Sequence, residues 1–423
     1  MRKRTMQLPA TGPLIGLLDI GTSKVVCLIV TPVSDAPMGS GAGALRVVGF
    51  GHQRSRGIKA GVVVDLDAAE QAVRAAVTQA ERSAGRMLEE VHIAVACGRL
   101  TSNHFTARTQ VQASVVGPDD IARVDAAGRS YAGRGNRTLL HLNPTGYRLD
   151  GMEVRDPIGL AGDLLSADLH AVTADETPIR NLLLLVERCY LAPASIAPSP
   201  YVAALAATTE EERRLGVIVA DIGAGTSGIA VFADGNLVGV DAIPVGGNHI
   251  TFDIARALAT PVPEAERIKT LYGTLLRAQS DIHDIVSYPL AGEEEPTLHQ
   301  TSKAEVHDII CPRVASTLEL IDERIVRMGL ARQSLERVVL TGGASQLVGM
   351  GEFAAEVFGR PVRIGRPYGA EERDEVLESP AFAAVFGLAQ AALAPAPSQI
   401  EAGRAQAAAG YFGRMGQWIR QSF

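Results

Sequence analysis

Two short, widely separated segments place an aspartate, a glycine and small hydroxylated residues in the same order. Leu17-Leu18-Asp19-Ile20-Gly21-Thr22-Ser23-Lys24-Val25-Val26-Cys27 and Val219-Ala220-Asp221-Ile222-Gly223-Ala224-Gly225-Thr226-Ser227-Gly228-Ile229 each read as strand, tight turn, strand. The apolar runs are short and β-branched, as buried strands are, and the small turn residues let backbone N–H groups approach an anion without interference from Cβ. Such turns suit phosphate: Gly21, Thr22, Ser23 and Lys24 in the first, Gly223, Ala224, Gly225 and Thr226 in the second. An aspartate ending the first strand of each hairpin repels phosphate and instead suits Mg²⁺ or its waters beside one. Asp19 and Asp221 are therefore expected on the metal side, with Asp221 also among the catalytic groups. One such turn is equally an ordinary hairpin; the pair in one chain points to phosphate chemistry.

A third glycine turn, Gly342-Gly343-Ala344, follows the apolar run Val338-Val339-Leu340-Thr341, a buried strand whose end permits close approach to a nucleoside. Glu266 and Lys269 lie three apart on one predicted helical face, suited to ribose hydroxyls and a base edge, or to a solvated ion pair. These groups need a scaffold with two similar halves, and a second echo supplies one. Ser199-Pro200-Tyr201-Val202-Ala203-Ala204 recurs as Ser379-Pro380-Ala381-Phe382-Ala383-Ala384, each predicted to open a helix with serine at the N-cap and proline at the first helical position. Ala206, Ala207, Gly387 and Ala389 keep both faces small, so the helices either cross with their backbones close, as a hinge requires, or are two alanine-rich core helices.

These residues resemble the actin, sugar-kinase and heat-shock-chaperone superfamily, with Asp19 to Lys24 similar to its first phosphate motif, Asp221 to Phe232 to the second and Val338 to Met350 to the adenosine motif. Ser55 to Asp65, Pro244 to Thr251 and Glu266 to Gly273 are similar to the FtsA family of bacterial cell-division proteins. The resemblance implies an α/β, actin-like fold: two ribonuclease-H-like halves around a nucleotide cleft, a small inserted α/β subdomain (1C) and a C-terminal amphipathic helix. It implies ATP and Mg²⁺ as cofactors and adds Gly246, Gly247 and Asn248 to the nucleotide contacts. Ser199 falls where relatives orient the attacking water, yet serine is no general base, and Gly228 replaces a commonly acidic residue; ATP hydrolysis is expected to be slow at most. Implied partners are the FtsZ C-terminal tail, contacted by Arg313, other copies of the chain in a polymer, and later division proteins at the insert.

The implied boundaries are 12–85 and 167–207 for subdomain 1A, 86–166 for the insert, 208–250 and 335–378 for 2A, and 251–334 for 2B. The second connecting helix follows over 379–392, a linker over 393–409 and the terminal helix over 410–423. With 423 residues, 47% hydrophobic and 21% charged, the chain exceeds one core, and no apolar run reaches the roughly 18 to 20 residues of a membrane span. A net charge of −7 without a basic face argues against nucleic acid as a partner. The four cysteines, Cys27, Cys97, Cys189 and Cys311, are scattered and read as reduced core thiols. His92, His104, His141 and His170 show no metal-ligand spacing.

Beyond the Ala/Pro/Gln/Gly-rich linker, Tyr411, Phe412, Met415, Trp418, Ile419 and Phe423 share an arc of roughly 140° at about 100° per residue. Arg414 and Arg420 lie on the other side, which suits a helix in the headgroup plane of the inner membrane's cytoplasmic face, or one docked on a groove. The function these readings favour is an adaptor that polymerises on the membrane and anchors FtsZ there. A related pilus-assembly adaptor and, more distantly, a sugar or acetate kinase are the alternatives.

Overall fold

The computed structural model describes residues 13–32, 45–293, 297–330, 335–368, 370–371 and 375–393. Two sheets share one topology. The first runs Ala192–Pro198, Glu90–Val95, Ile15–Ile20, Lys24–Pro32, Leu45–Arg54, Ala370–Glu371, and the second Val362–Ile364, Arg337–Thr341, Val217–Ile222, Ser227–Ala233, Asn236–Ile243. In each, an antiparallel three-strand meander is extended by parallel strands on the far side of its first strand. The hairpins have the same register: Asp19 faces Val26 as Asp221 faces Gly228. Gly21 N–H donates to Lys24 C=O, and Gly223 N–H to Thr226 C=O, both at 2.9 Å. The apolar runs become strands buried on both faces because helices cover both sides of each sheet.

Local sequence explains the close packing of the first sheet. The helix Leu66–Ala84 starts where the Asp65 carboxylate accepts from Ala68 N–H at 3.1 Å and stops at Gly85, whose φ of +68° suits glycine. Its buried stripe of Ala69, Ala72, Val73, Ala76, Val77 and Ala80 is small because it lies directly on strand Leu45–Arg54. A Cβ on Gly51 would stand 1.8 Å from Ala76 O.

The two echoed helices, Ser199–Ala207 and Ala383–Leu393, cross at backbone contact, a Cβ on Gly387 meeting Val202 O at 1.6 Å. Their starts differ from expectation. Ser379 caps as predicted, accepting from Ala381 N–H at 3.2 Å, but Ser199 is the first helical residue, Pro198 occupies the cap and Pro200 is second. Proline's lack of N–H makes both positions tolerable in a first turn.

The insert is a four-stranded sheet in the order Thr101–Gln110, Leu164–Asp175, Arg137–Leu149, Met152–Val154, covered by the helix Pro118–Ala132. Its own core joins Val124 of the helix to Leu142, Leu165 and Leu169. Its boundaries differ from 86–166. Strand Glu90–Val95 belongs to the first half's sheet, and the last strand of the insert continues to Asp175, so alternation alone did not reveal which sheet each strand joins. The insert's two ends are tied: Asp175 N–H donates to Gly98 O at 2.6 Å, and the Asp175 carboxylate binds Arg137 at 2.6 Å and Arg99 at 2.8 Å.

Helices Gly247–Ala257, Val262–Tyr272 and Lys303–Arg327, with the hairpin Ile285–Pro289/Leu298–Ser302, build the smaller part of the second half on a core shared with its sheet. Cys27, Cys97 and Cys189 are buried, whereas Cys311 is only half-buried, its Sγ 3.2 Å from His307 Nε2 on an outer helix, so it is not a core thiol. Residues 410–423, where the membrane helix is expected, lie outside the described residues. Among the described residues no helix is long and apolar enough to cross a membrane.

Candidate functional site

The halves face each other across a cleft of about 580 Å³, within the size range of small-molecule sites. The two hairpin turns form its floor. They touch: a Cβ on Gly225 would lie 2.5 Å from Thr22 Oγ1, which itself accepts from Gly61 N–H at 3.1 Å. Gly21, Thr22, Ser23, Lys24, Gly223, Ala224, Gly225 and Thr226 all line this floor.

Asp19 and Asp221 bring two half-buried carboxylates to the same end of the cleft, with the Lys24 ammonium between the hairpins. Burial, opposed by Lys24, raises the Asp19 carboxyl; burial and then Asp19 push Asp221 up to about 7, again opposed by Lys24. Burial lowers the Lys24 ammonium against the pull of both carboxylates. Lys24 Nζ also donates to Ala381 O and stands 4.7 Å above the Phe382 ring, so it binds the start of the second connecting helix. Phe382 in turn meets Phe50 edge-on at 5.6 Å and His52 at 5.7 Å.

The predicted nucleoside end is brought to the same cleft. Gly342 has φ of +86°, and a Cβ there would stand 2.4 Å from Asp221 Oδ1; glycine is required on both counts. Gly343 and Ala344 line the wall beyond it. Opposite, Lys269 Nζ donates to Glu266 Oε2 at 2.7 Å and to Thr251 Oγ1 at 2.9 Å, so Glu266 and Lys269 are an ion pair that lines the cleft with its carboxylate half open to solvent. Gly247 and Asn248 line the cleft and donate their N–H groups to Gly223 O at 2.9 Å and Ala224 O at 2.8 Å. Gly246 does not line it: this glycine is packed behind the second turn, where a Cβ would be 2.5 Å from Gly223 O.

Ser199 is buried and lines the cleft beside Pro200. Pro200 explains Gly228, since a Cβ there would lie 2.4 Å from Pro200 Cγ and leave no room for an acidic side chain. His52, Pro200, Ala381, Gln346 and Leu347 also line the cleft and were not singled out in the sequence. Pro200 and Ala381 lay inside the echoed helix starts, and Gln346 and Leu347 inside the third glycine segment; His52 sits in a strand with no signal of its own.

Arg313 lies elsewhere, in an open groove of about 440 Å³ between helices Gly247–Ala257 and Lys303–Arg327 with Arg256, Ile309 and Pro312. Its Nε donates to Asp253 at 2.5 Å, which raises the guanidinium above its usual range.

The family model described as cell division protein FtsA matches residues 218–387, and that of the SHS2 domain inserted in FTSA matches 97–173. The cell division protein FtsA of Agrobacterium fabrum is 40% identical over 423 residues, covering 97% of this chain and 95% of that one. Among solved structures, the PilM-PilN type IV pilus biogenesis complex resembles the fold with a TM-score of 0.64 at 17% identity, covering 90% of this chain and 99% of that chain. MreB5 of Spiroplasma citri bound to ADP does so with 0.50 at 14%, covering 90% and 96%. These two share the actin-like fold alone, whereas near-complete coverage at 40% identity and the matching insert show that the chain belongs to the FtsA family of cell division proteins.

Proposed function

We propose that the cleft binds ATP with Mg²⁺, that the bound subunits polymerise, and that the polymer anchors FtsZ to the cytoplasmic face of the inner membrane. The observation that carries the nucleotide reading is the pair of hairpins of one register whose turns meet at Thr22 and Gly225. Asp19 and Asp221 would hold the metal: two half-buried carboxylates side by side, one with its pKa raised to about 7, form a hard oxygen donor set short of positive charge. When bound, Mg²⁺ would neutralise charge on the phosphate oxygens. The turn amides and Lys24 would orient the phosphates, and Glu266 with Lys269 the nucleoside.

Turnover is expected to be slow. The carboxylates among the described cleft residues are Asp19, Asp221 and Glu266; two face the metal position and the third is held by Lys269 and Thr251. Ser199 can orient a water but is no base, and Gly228 cannot be replaced by an acid against Pro200.

For the adaptor role, the acidic-hydrophobic FtsZ tail would take the place of Asp253 at Arg313, with Ile309 and Pro312 as apolar contacts. The insert would receive later division proteins. Tyr411, Phe412, Met415, Trp418, Ile419 and Phe423 would enter the lipid interface, with Arg414 and Arg420 toward the headgroups, and many weak anchors in a polymer would add up by avidity. Sedimentation with anionic vesicles, with and without ATP and FtsZ, tests the whole reading. The full chain should pellet and carry FtsZ with it, while Trp418→Glu stays soluble yet keeps the ATP-induced rise in thermal midpoint. No midpoint shift at millimolar ATP would overturn the nucleotide reading, and undiminished pelleting of Trp418→Glu would overturn the anchor.

A further inference from the structure

Four histidines without ligand spacing in the sequence converge where the insert, the first connecting helix and the second half meet. Strand Asn236–Ile243 is an outer strand of its sheet and, among the described residues, pairs only with Ser227–Ala233. Its outer backbone groups, an exposed edge in most sheets, are bonded by side chains of the insert. Ser102 Oγ accepts from Val240 N–H at 2.6 Å, His104 Nε2 lies 2.9 Å from Val238 O, and Asn143 Nδ2 donates to Leu237 O at 3.3 Å. A second layer holds these three in place: His170 Nε2 is 2.9 Å from Ser102 Oγ, and Asn143 Oδ1 is 3.3 Å from His170 Nδ1 and 3.1 Å from His141 Nε2. His141 packs against Tyr201 of the first connecting helix, ring centroids 4.4 Å apart and tilted by 52°, and His92 binds Ser195 at 2.7 Å beside them.

Neutral imidazoles suit this network. His141 Nε2–H donates to Asn143 Oδ1, and the single Ser102 hydroxyl proton serves either Val240 O or the bare Nε2 of His170, both at 2.9 Å, the latter choice leaving His170 Nδ1–H to donate to Asn143 Oδ1. The strand so bonded continues into the cleft: Ala242 lines it, and Gly247 and Asn248 follow, tied to the second phosphate turn.

We propose that this seam is a release latch, which holds the insert to the second half while its imidazoles are neutral and, when it opens by proton uptake, frees strand Asn236–Ile243 and loosens the Gly246–Asn248 turn of the cleft. Among the described residues, the charged groups around it offer no counterion. Asp241 of the strand is taken by Arg324 at 3.3 Å and by Ala242 N–H at 2.7 Å. On the insert's strands, Asp168 pairs with Arg148 and Asp175 with Arg137 and Arg99, and on the connecting-helix side Arg213 lies near Tyr201. Burial holds His141 down to about 4; burial and then the neighbouring His141 and His104 hold His170 down to about 3. Released imidazoles titrate near 6.5. Because the docked values are the lower ones, docking is at full strength above about pH 6.5 and weakens as pH falls toward the docked values, each opening taking up protons.

Hydrogen exchange of the full chain, corrected for the intrinsic pH dependence of amide exchange, tests the latch. From pH 7.5 to 5.5, segments 101–110 and 236–248 should exchange at least about tenfold faster while strands Val217–Ile222 and Arg337–Thr341 of the same sheet stay protected. Ser102→Ala should open the same segments at pH 7.5, and His141→Gln, which keeps a donor for Asn143 but does not titrate, should reduce the acid response. The latch is overturned if acid speeds exchange equally across the second sheet or not at all at 236–248. Retained protection at 236–243 in Ser102→Ala would also overturn it. Should that variant loosen throughout, the wild-type pH comparison decides.

Discussion

The first and second phosphate hairpins have the same length, register and turn hydrogen bond, and they differ at two positions that matter. The last turn residue is Lys24 in the first and Thr226 in the second, and the strand residue facing the aspartate is Val26 in the first and Gly228 in the second. The first difference puts a single ammonium between two half-buried carboxylates; a symmetric pair of lysines would overfill the space and a pair of threonines would leave both acids uncompensated. The second opens room for Pro200, so the first connecting helix sits on its hairpin more closely than the second helix does on Val26. Duplication supplied the frame, and the departures from it carry the chemistry.

The sharpest test concerns the connecting helices, where the same contrast recurs. Gly387→Val drives a side chain into Val202 O and should lower stability by more than about 4 kcal/mol, while Ala207→Gly, at the echoed position, should lose only about 1 kcal/mol; urea unfolding reads both. Next, Lys24→Met removes the ammonium between the two aspartates and should destabilise by about 3 kcal/mol at pH 8 while abolishing the ATP-induced rise in thermal midpoint. Adding Thr226→Lys to that variant asks whether the two turns are interchangeable. Restored ATP binding in the double variant would show the asymmetry to be incidental.

Asp221 gives a smaller effect with a definite sign. Its folded pKa near 7 lies above the ordinary carboxyl value, so its burial favours folding below about pH 4 and that contribution is lost as pH rises through 7. Without ligand, the difference in thermal midpoint between wild type and Asp221→Asn should fall between pH 5 and 8, which separates this contribution from the opposite one of the buried histidines, and the variant should gain on the order of 2 kcal/mol at pH 8. A difference that rises or stays flat with pH would contradict the close placement of the two carboxylates. The mildest change is Gly228→Ala, where the Pro200 ring must yield; about 1 kcal/mol of destabilisation is expected by chemical denaturation.

The repeated Asp-x-Gly turns made the cleft legible in the sequence because a phosphate turn is local chemistry: a strand end, small residues and an aspartate within a few positions. Ser199 to Ala204 and Ser379 to Ala384 were legible for the same reason. What stayed hidden depends on distant packing. Gly246 is a glycine because of Gly223 O behind it, His52 reaches the cleft by sheet order, and Ser199 lost its cap to Pro198. Strand Glu90–Val95 reads the same whether it joins the insert or the first sheet, and only its pairing with Ile15–Ile20 decides. The histidine seam was invisible because its members come from four strands, one helix and one sheet edge, each unremarkable alone.

The tied ends of the insert carry a consequence for how such a chain can change over generations. Gly98 and Asp175 are hydrogen-bonded neighbours, so everything between them hangs from the host like a cassette whose two leads already touch. Closing that gap with a short turn would leave the host's strand and helix where they are, since the entropy of loop closure grows only slowly with the length of what is spliced in. A lineage can therefore exchange this domain for another with equally close ends while the host's own chain path stays in place. What such an exchange would expose is the bare edge of Asn236–Ile243, so any successor must arrive with its own way of covering it.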